Sequence, residues 1–279
     1  MAYRRILTVQ DISCLGQCSI TVALPILSAC GHETCILPTA LLSTHTGGFG
    51  TVHKKDLTAE LMPIMEHWKR EKLSFDAICT GYLGSMEQID TVCQLLHTLR
   101  APGAVAVVDP AMADHGKLYK GFNPSYVEKM KQLCRQADVI IPNLTEACLL
   151  TDTAYCEKPE RAFVQGLMDK LEEICPCVIL TGIGFSEAET GVMVANHAER
   201  WHYAHPKAEQ SYHGTGDIFA AAFVGAWQQE NTLKKAVRIA ADFTALCIQK
   251  TAQAPAHRYG VKFEQAIPEL IGMLRDDSF

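Results

Sequence analysis

The chain has 279 residues, 48% hydrophobic and 20% charged, with a formal net charge of −6. That length and balance fit a soluble α/β protein with one large core or two small ones. The mild acidity argues against a nucleic-acid partner, because no basic stripe is present to neutralise phosphates, and no apolar run reaches the roughly 18 residues that cross a membrane.

The N-terminus, from Met1 to Val9, is basic and then apolar. Gln10-Asp11 ends the apolar part too early for a signal peptide, so Arg4–Val9 reads as a first strand and the protein as cytoplasmic. Gln17–Ala29 follows as a helix with Ile20, Ala23, Leu24 and Leu27 on one face, stopped by Gly31. Glu33–Pro38 is a second strand. Asp56–Arg70 reads as a helix capped by Asp56. Ala77–Thr80 is a strand, Met86–Leu99 a helix, and Ala104–Val108 a wholly apolar strand of the kind buried in parallel sheets. Pro124–Gln136 is helical and Val139–Ile141 is a buried strand. Thr145–Leu150 and Glu157–Glu173 are helical, and Cys177–Leu180 is a strand. Gly191–Ala195 and Arg200–Ala204 pattern as an antiparallel hairpin at one edge. Helices close the chain over Asp217–Gln228, Leu233–Lys250 and Phe263–Leu274. Strands alternating with helices imply a mostly parallel central sheet covered on both faces, with a small edge hairpin. Neither a repeat nor a linker interrupts it, so residues 1–279 read as one domain.

The twelve cysteines include no C-x-x-C pair, and neither Cys14/Cys18 nor Cys175-Pro176-Cys177 has a zinc spacing. They read as reduced, small apolar residues. His202 and His205 read as surface residues at a strand end. Lys117 reads as a solvated lysine.

In an open α/β sheet, ligands bind beyond the carboxyl ends of the strands. The polar residues expected there are Asp11, Gly81-Tyr82, Asp109, Asn143 to Glu146, Thr181-Gly182 and Asp217. Asp217 belongs to the stretch around which the chain is organised, Tyr212-His213-Gly214-Thr215-Gly216-Asp217, which precedes the apolar run Ile218–Ala226. A helix start offers unpaired N–H groups and a partial positive charge, and Gly214 and Gly216 let an anion approach them. There the helix dipole favours the ionised form of Asp217. A phosphate cradle beside a fixed carboxylate suits phosphoryl transfer. The plainer alternative is a glycine turn with Asp217 as a cap. A rim of carboxylates beside a phosphate turn suits a nucleotide with Mg²⁺, which takes oxygen ligands and few protein carboxylates.

Gly214-Thr215-Gly216-Asp217-Ile218-Phe219-Ala220-Ala221-Ala222-Phe223 resembles the anion-hole signature of the ribokinase-like small-molecule kinases. In that family the matching Asp is the catalytic base and the turn amides of Gly214, Thr215 and Gly216 hold the transferring phosphate. Asn143-Leu144-Thr145-Glu146 is similar to the family's N-x-x-E motif, whose Glu acts near Mg²⁺ largely through water. A capping arrangement for the helix is the alternative. Asp109, ending its strand before Pro110, either caps the loop or orients water around Mg²⁺.

Within that superfamily several further segments resemble those of the pyridoxal kinases. Thr80-Gly81-Tyr82-Leu83-Gly84-Ser85 resembles their T-G-Y-L-G-S stretch, which makes Tyr82 an aromatic wall for a flat ring; a core tyrosine is the alternative. The loop Leu42 to Gly50 resembles their S-N-H-T-G-Y segment and points to Thr46 as a substrate contact, with Phe49 where the tyrosine falls. Glycines at 47, 48 and 50 suit a mobile loop. Asp109 to Tyr119 resembles a loop closing over the γ-phosphate. Val9-Gln10-Asp11-Ile12-Ser13 aligns with their I-Q-S, with Asp11 in place of the ring-contacting serine. Asp11 could take a hydrogen bond from a ring hydroxyl or a protonated ring nitrogen.

The resemblance runs from Val9 to about Val224. It implies a ribokinase-like fold and transfer of the γ-phosphoryl of ATP to the 5′-hydroxymethyl of pyridoxal, pyridoxine or pyridoxamine. In that reading Asp217 accepts the alcohol proton, and Asp11, Thr46 and Tyr82 hold the ring. Asp109 and Glu146 organise Mg²⁺, while Asn143, Thr181 and Gly182 line the nucleotide path, with adenine against Leu233–Lys250. The resemblance also implies a homodimer and allows a monovalent cation, K⁺ or Na⁺. A hydroxymethylpyrimidine kinase is the nearest alternative. A sugar kinase or a non-catalytic binder of vitamer or nucleotide lies further off, since a pure binder has no need of Asp217.

Overall fold

The computed structural model describes residues 2–197, 199–208, 210, 212–254, 256–257 and 259–276. In chain order the elements are β1 (Arg5–Ser13), α1 (Ile20–Ala29), β2 (Glu33–Leu42), β3 (Lys54–Asp56), α2 (Thr58–Arg70), β4 (Phe75–Thr80), α3 (Met86–Thr98) and β5 (Arg100–Val108). They continue with β6 (Ala113–Asp114), β7 (Lys117–Leu118), α4 (Pro124–Cys134), β8 (Val139–Ile140), α5 (Leu144–Leu150), α6 (Arg161–Glu172), β9 (Cys177–Thr181), β10 (Glu189–Asn196) and β11 (Glu199–Pro206). The last are α7 (Thr215–Gln228), α8 (Leu233–Ala252), a 3-10 turn (Phe263–Ala266) and α9 (Ile267–Arg275). The chain folds as two compact units.

The first unit holds Met1–Gly84, Leu99–Ala104 and Ala208–Phe279. Its strands run in the order β4-β1-β2-β3, parallel except for β3. Ile6, Leu7 and Val9 of β1 are fully buried along with Thr8 between them. A strand buried on both faces has no polar side to alternate with, which is why its sequence reads as a continuous apolar run. Helix α1 packs on β1 and β2, and α7 packs between α1 and α8. Gly225 of α7 sits against Cys30, whose thiol leaves no space for a Cβ.

The strands here outrun the sequence-based expectation. β1 continues four residues past Val9, because pairing with β2 resumes at Ile12 and Ser13 after a register shift between Gln10 and Ile12. Asp11 therefore lies within the strand and not after it. Asp56 ends β3, and α2 begins at Thr58, whose N–H donates to Asp56 Oδ1 at 2.8 Å. Helix α1 starts at Ile20, three residues later than expected, and the predicted last helix is split into a 3-10 turn and α9.

The second unit holds Ser85–Thr98 and Val105–Lys207. Its strands run β5-β8-β9-β10-β11. The pairings β5 with β8 and β8 with β9 are parallel, and β10 and β11 form the expected antiparallel edge hairpin. Helix α6 packs on β9 and β10 and α5 on β9. A second, unexpected antiparallel ribbon, β6 with β7, folds the segment after Asp109. Helix α6 begins at Arg161, so residues 157–160, expected as helix, are not part of it.

All twelve cysteines are free, and Cys14 is exposed whereas Cys30, Cys79, Cys134, Cys148, Cys175 and Cys247 are buried. Among the described residues no helix is long and apolar enough to cross a membrane.

Candidate active site

In the first unit the glycine turn forms as its sequence demands. Gly214 sits in the left-handed region at φ 83°, the start of α7. A Cβ there would overlap the carbonyl oxygen of Gln17, so both conformation and space require glycine. Thr215 begins α7 half-buried and Gly216 is exposed, so this helix start faces solvent. Backbone N–H groups at such a start lack intrahelical partners.

Asp217 follows in the first turn, half-buried. Its Oδ2 accepts the backbone N–H of Ser19 at 2.9 Å. The hydroxyl of Ser19, in turn, donates to Asp11 Oδ1 at 2.6 Å. Two acids distant in sequence are therefore tied to one residue. Ser19 is itself buried and adopts φ 52°, ψ −133°, which side-chain-bearing residues rarely enter.

Burial raises the Asp217 carboxyl to about 6, against a lowering by the Ser19 N–H, and the Asp11 charge raises it further. Desolvation and the second acid thus act against the ionised form that a helix start favours, and at about 6 the carboxyl is still ionised at neutral pH. Asp11 is also raised, chiefly by burial, with the Ser19 hydroxyl and the Lys54 ammonium acting the other way.

Tyr82 is half-buried beyond β4, and its phenol is raised by burial and then by Asp11 and Asp56. The Lys54 ammonium lies 5.6 Å from its ring centroid. Gly81 before it abuts the Gln10 side chain, which leaves no space for a Cβ. Asp11, Tyr82 and Lys54 thus gather on the β4-β1-β2-β3 sheet.

Thr46 is exposed on the loop between β2 and β3. Its neighbour His45 is buried, and the His45 and His213 rings stand 5.4 Å apart. A Cβ on Gly47 would approach His213 Nε2 to 2.6 Å. Phe49 stacks on Tyr259 at 5.1 Å and meets His45 edge-on at 5.0 Å. Histidine contacts thus hold this loop to the turn that carries Gly214.

The second unit carries the remaining expected residues. Asp109 follows β5 directly and is half-buried. Asn143 and Glu146 form a capping box at α5, so the plainer reading of N-x-x-E describes their geometry. Glu146 is buried; Oε1 accepts from Met112 N–H at 3.1 Å and Oε2 from Asn143 N–H at 2.8 Å. Asn143 Nδ2 donates to the Ala113 carbonyl at 2.8 Å. The pair pins the segment after Asp109 to α5. Burial pushes the Glu146 carboxyl well above its usual range.

Thr181 ends β9 with its N–H on the Pro142 carbonyl at 2.9 Å. Gly182 next to it takes φ 73° and has open space where a Cβ would stand. It opens onto a 630 Å³ cavity whose lining includes Leu144, Arg161, Phe185 and Lys207. The Arg161 guanidinium sits 4.0 Å over the Phe185 ring. His202, expected at the surface, is half-buried, hydrogen-bonded to the Ile183 carbonyl at 3.1 Å and packed edge-on against Phe185.

The donors at Asp109 and Glu146 are oxygens, the type Mg²⁺ takes. Among the described residues no group of three His, Cys, Asp or Glu could hold a metal. Both oxygens of Glu146 already accept backbone N–H groups.

Two residues of the first unit escape the sequence reading. Ser19 looks like an ordinary helix N-cap before an apolar run, yet it makes no side-chain cap bond. Lys54 belongs to a three-residue edge strand too short for periodicity.

The profile of the phosphomethylpyrimidine kinase family matches residues 20–262. A Bacteroides thetaiotaomicron protein assigned to the phosphomethylpyrimidine kinases, crystallised with pyridoxal, is 34% identical with a TM-score of 0.89, over 96% of this chain and 95% of that one. The pyridoxal kinase of Lactobacillus plantarum is 31% identical with a TM-score of 0.91, over 97% of both chains. The pyridoxal kinase of Arabidopsis thaliana is 26% identical over 262 residues, 88% of this chain and 82% of its own length.

Proposed function

The chain belongs to the phosphomethylpyrimidine kinase family, and from that premise we propose that it moves the γ-phosphoryl of ATP to the 5′-hydroxymethyl of pyridoxal, pyridoxine or pyridoxamine. The observation that carries this reading is the seat of Asp217. Its carboxylate stands in the first turn of α7, beside an open glycine turn and next to a second acid.

Asp217 accepts the alcohol proton as the oxygen attacks. In a loose phosphoryl transition state the proton leaves late, so a base titrating near 6 is strong enough. The backbone N–H groups of Gly214, Thr215 and Gly216 receive the negative charge of the transferring group, already oriented before it develops. Asp11 accepts a hydrogen bond from the ring, Tyr82 covers its face, and Thr46 contacts it from the loop held by His45.

In the second unit, Asn143, Thr181 and Gly182 line the nucleotide path, and the cavity beside Gly182 takes part of ATP. Asp109 and Glu146 organise Mg²⁺, Glu146 through the backbone it pins at Met112 and Asn143. When bound, the ion neutralises phosphate charge. The reading takes residues 1–279 as one kinase domain, and a cytoplasmic homodimer belongs to it.

The family's name admits a second substrate class, a hydroxymethylpyrimidine. An ATP-consumption assay across the three vitamers and hydroxymethylpyrimidine, repeated with K⁺ and with Na⁺, separates the readings. A pyridine alcohol turned over with the highest kcat/KM supports the first. Preference for the pyrimidine establishes the second, and no turnover of either removes both.

A further inference from the structure

The acids given separate roles above, Asp11 toward the ring and Asp217 toward the reacting oxygen, meet at one serine. Ser19 donates its backbone N–H to Asp217 at 2.9 Å and its hydroxyl to Asp11 at 2.6 Å. Both donors come from one rigid point. The carbonyl of the same residue accepts the first N–H groups of α1, from Val22 at 3.0 Å and Ala23 at 2.9 Å, so it cannot shift without moving the helix. Its backbone is held at φ 52°, ψ −133°, a conformation that persists only where surroundings over-determine it. The hydroxyl is not spent on capping α1. Two like charges brought close repel, and donors from a common residue fix the distance at which they stand.

We propose that Ser19 is a positioning residue that sets the ring-holding acid Asp11 and the base Asp217 in one fixed relation, its hydroxyl orienting Asp11 and its N–H orienting Asp217. This rests on the functional reading above. Ring recognition and proton acceptance then share a reference point, and a ring seated on Asp11 brings its hydroxymethyl to Asp217 in register.

Ser19→Ala and Ser19→Gly both delete the hydroxyl, and Ser19→Gly also relaxes the backbone. Ser19→Ala is expected to raise KM for the alcohol about tenfold, the worth of one hydrogen bond to a charged group, with KM for ATP unchanged and kcat within about threefold. Ser19→Gly, which also loosens the N–H that orients Asp217, is expected to lower kcat about tenfold in addition, and an unchanged kcat there overturns the Asp217 half of the proposal. In an Asp11→Ala background, which leaves the hydroxyl no acceptor, the further change caused by Ser19→Ala shrinks to less than about twofold, because the hydroxyl acts through Asp11. An unchanged KM in Ser19→Ala, or an effect that adds in full to that of Asp11→Ala, overturns the proposal.

Urea unfolding of the unmodified protein, Ser19→Ala, the Asp11 variant and the double variant needs no substrate. Non-additive midpoints support the hydroxyl contact itself, and additive midpoints overturn it. Non-additive midpoints with KM unmoved mark a structural contact only and overturn the positioning role. If the unmodified protein turns over no alcohol, the kinase reading fails first, and the unfolding cycle still decides whether Ser19 couples to Asp11.

Discussion

Asn143 and Glu146 cap each other across the first turn of α5: the Asn143 side chain accepts the Glu146 N–H at 2.9 Å, and the Glu146 carboxylate accepts the Asn143 N–H at 2.8 Å. The other carboxylate oxygen reaches Met112 N–H at 3.1 Å. A group proposed to serve Mg²⁺ is thus also a structural fastener for the segment after Asp109.

Removing that fastener tests the arrangement. Glu146→Ala leaves buried N–H groups without acceptors, each costing about 1–3 kcal/mol. Asn143→Ala removes the cap bond, worth about 1 kcal/mol, and the Nδ2 donation to the Ala113 carbonyl, worth about 0.5–1.5 kcal/mol. Urea unfolding should still rank Glu146→Ala as the more destabilised, because it leaves buried N–H groups without acceptors. Equal midpoints for the two variants would contradict the bonding described.

Asp217→Asn keeps shape and removes the base. Losing a general base costs about 10²–10⁴-fold in rate. The expected result is a kcat loss in that range with ADP affinity, measured by calorimetry, changed by less than about twofold, since the nucleotide residues proposed here lie elsewhere. Turnover near the original rate would remove Asp217 from its role.

The raised Asp217 carboxyl predicts a pH profile. Only the deprotonated form accepts a proton, so kcat/KM should be flat above the titration near 6 and fall as pH drops through it. The charge of Asp11 raises that value. Asp11→Asn removes the charge and should therefore move the acid limb to lower pH. A shift to higher pH, or no limb near 6, would count against the coupling of the two acids.

These residues differ in how legible they were. Gly214 to Asp217 could be read directly, because a left-handed turn and a helix start are local demands with local signatures. The buried strands were equally plain, since Val107, Val108, Val139 and Ile140 have no polar face to hide them. Asp11 was found, yet its place inside β1 was not, because that depends on pairing with β2 beyond a register shift. Ser19 was missed altogether. Its partners lie 8 and 198 residues away, and a serine before an apolar run carries the same signature whether it caps a helix or ties two acids together. The raised carboxyl of Asp217 was hidden for a related reason. Desolvation is set by what packs around a group, which no local pattern reports.

Gly214→Ala offers the sharpest test of the turn. At φ 83° an alanine costs about 1–2 kcal/mol for the left-handed conformation alone. The added Cβ also collides with the Gln17 carbonyl, part of backbone and unable to rotate away. Gln17 N–H is itself bonded to the Tyr259 carbonyl at 2.7 Å, so movement there strains a second segment. The turn must therefore open, carrying the amides away from the position a phosphate would occupy. Thermal unfolding should fall by several degrees, and kcat should drop by at least about tenfold, since each displaced donor removes charge stabilisation specific to the transition state. Gly182→Ala is the control: it is also left-handed, at φ 73°, but a Cβ there meets open space. Its stability loss should be limited to the conformational cost, and any kinetic change should fall on KM for ATP. Equal stability losses in the two variants would show that the collision with Gln17 contributes nothing.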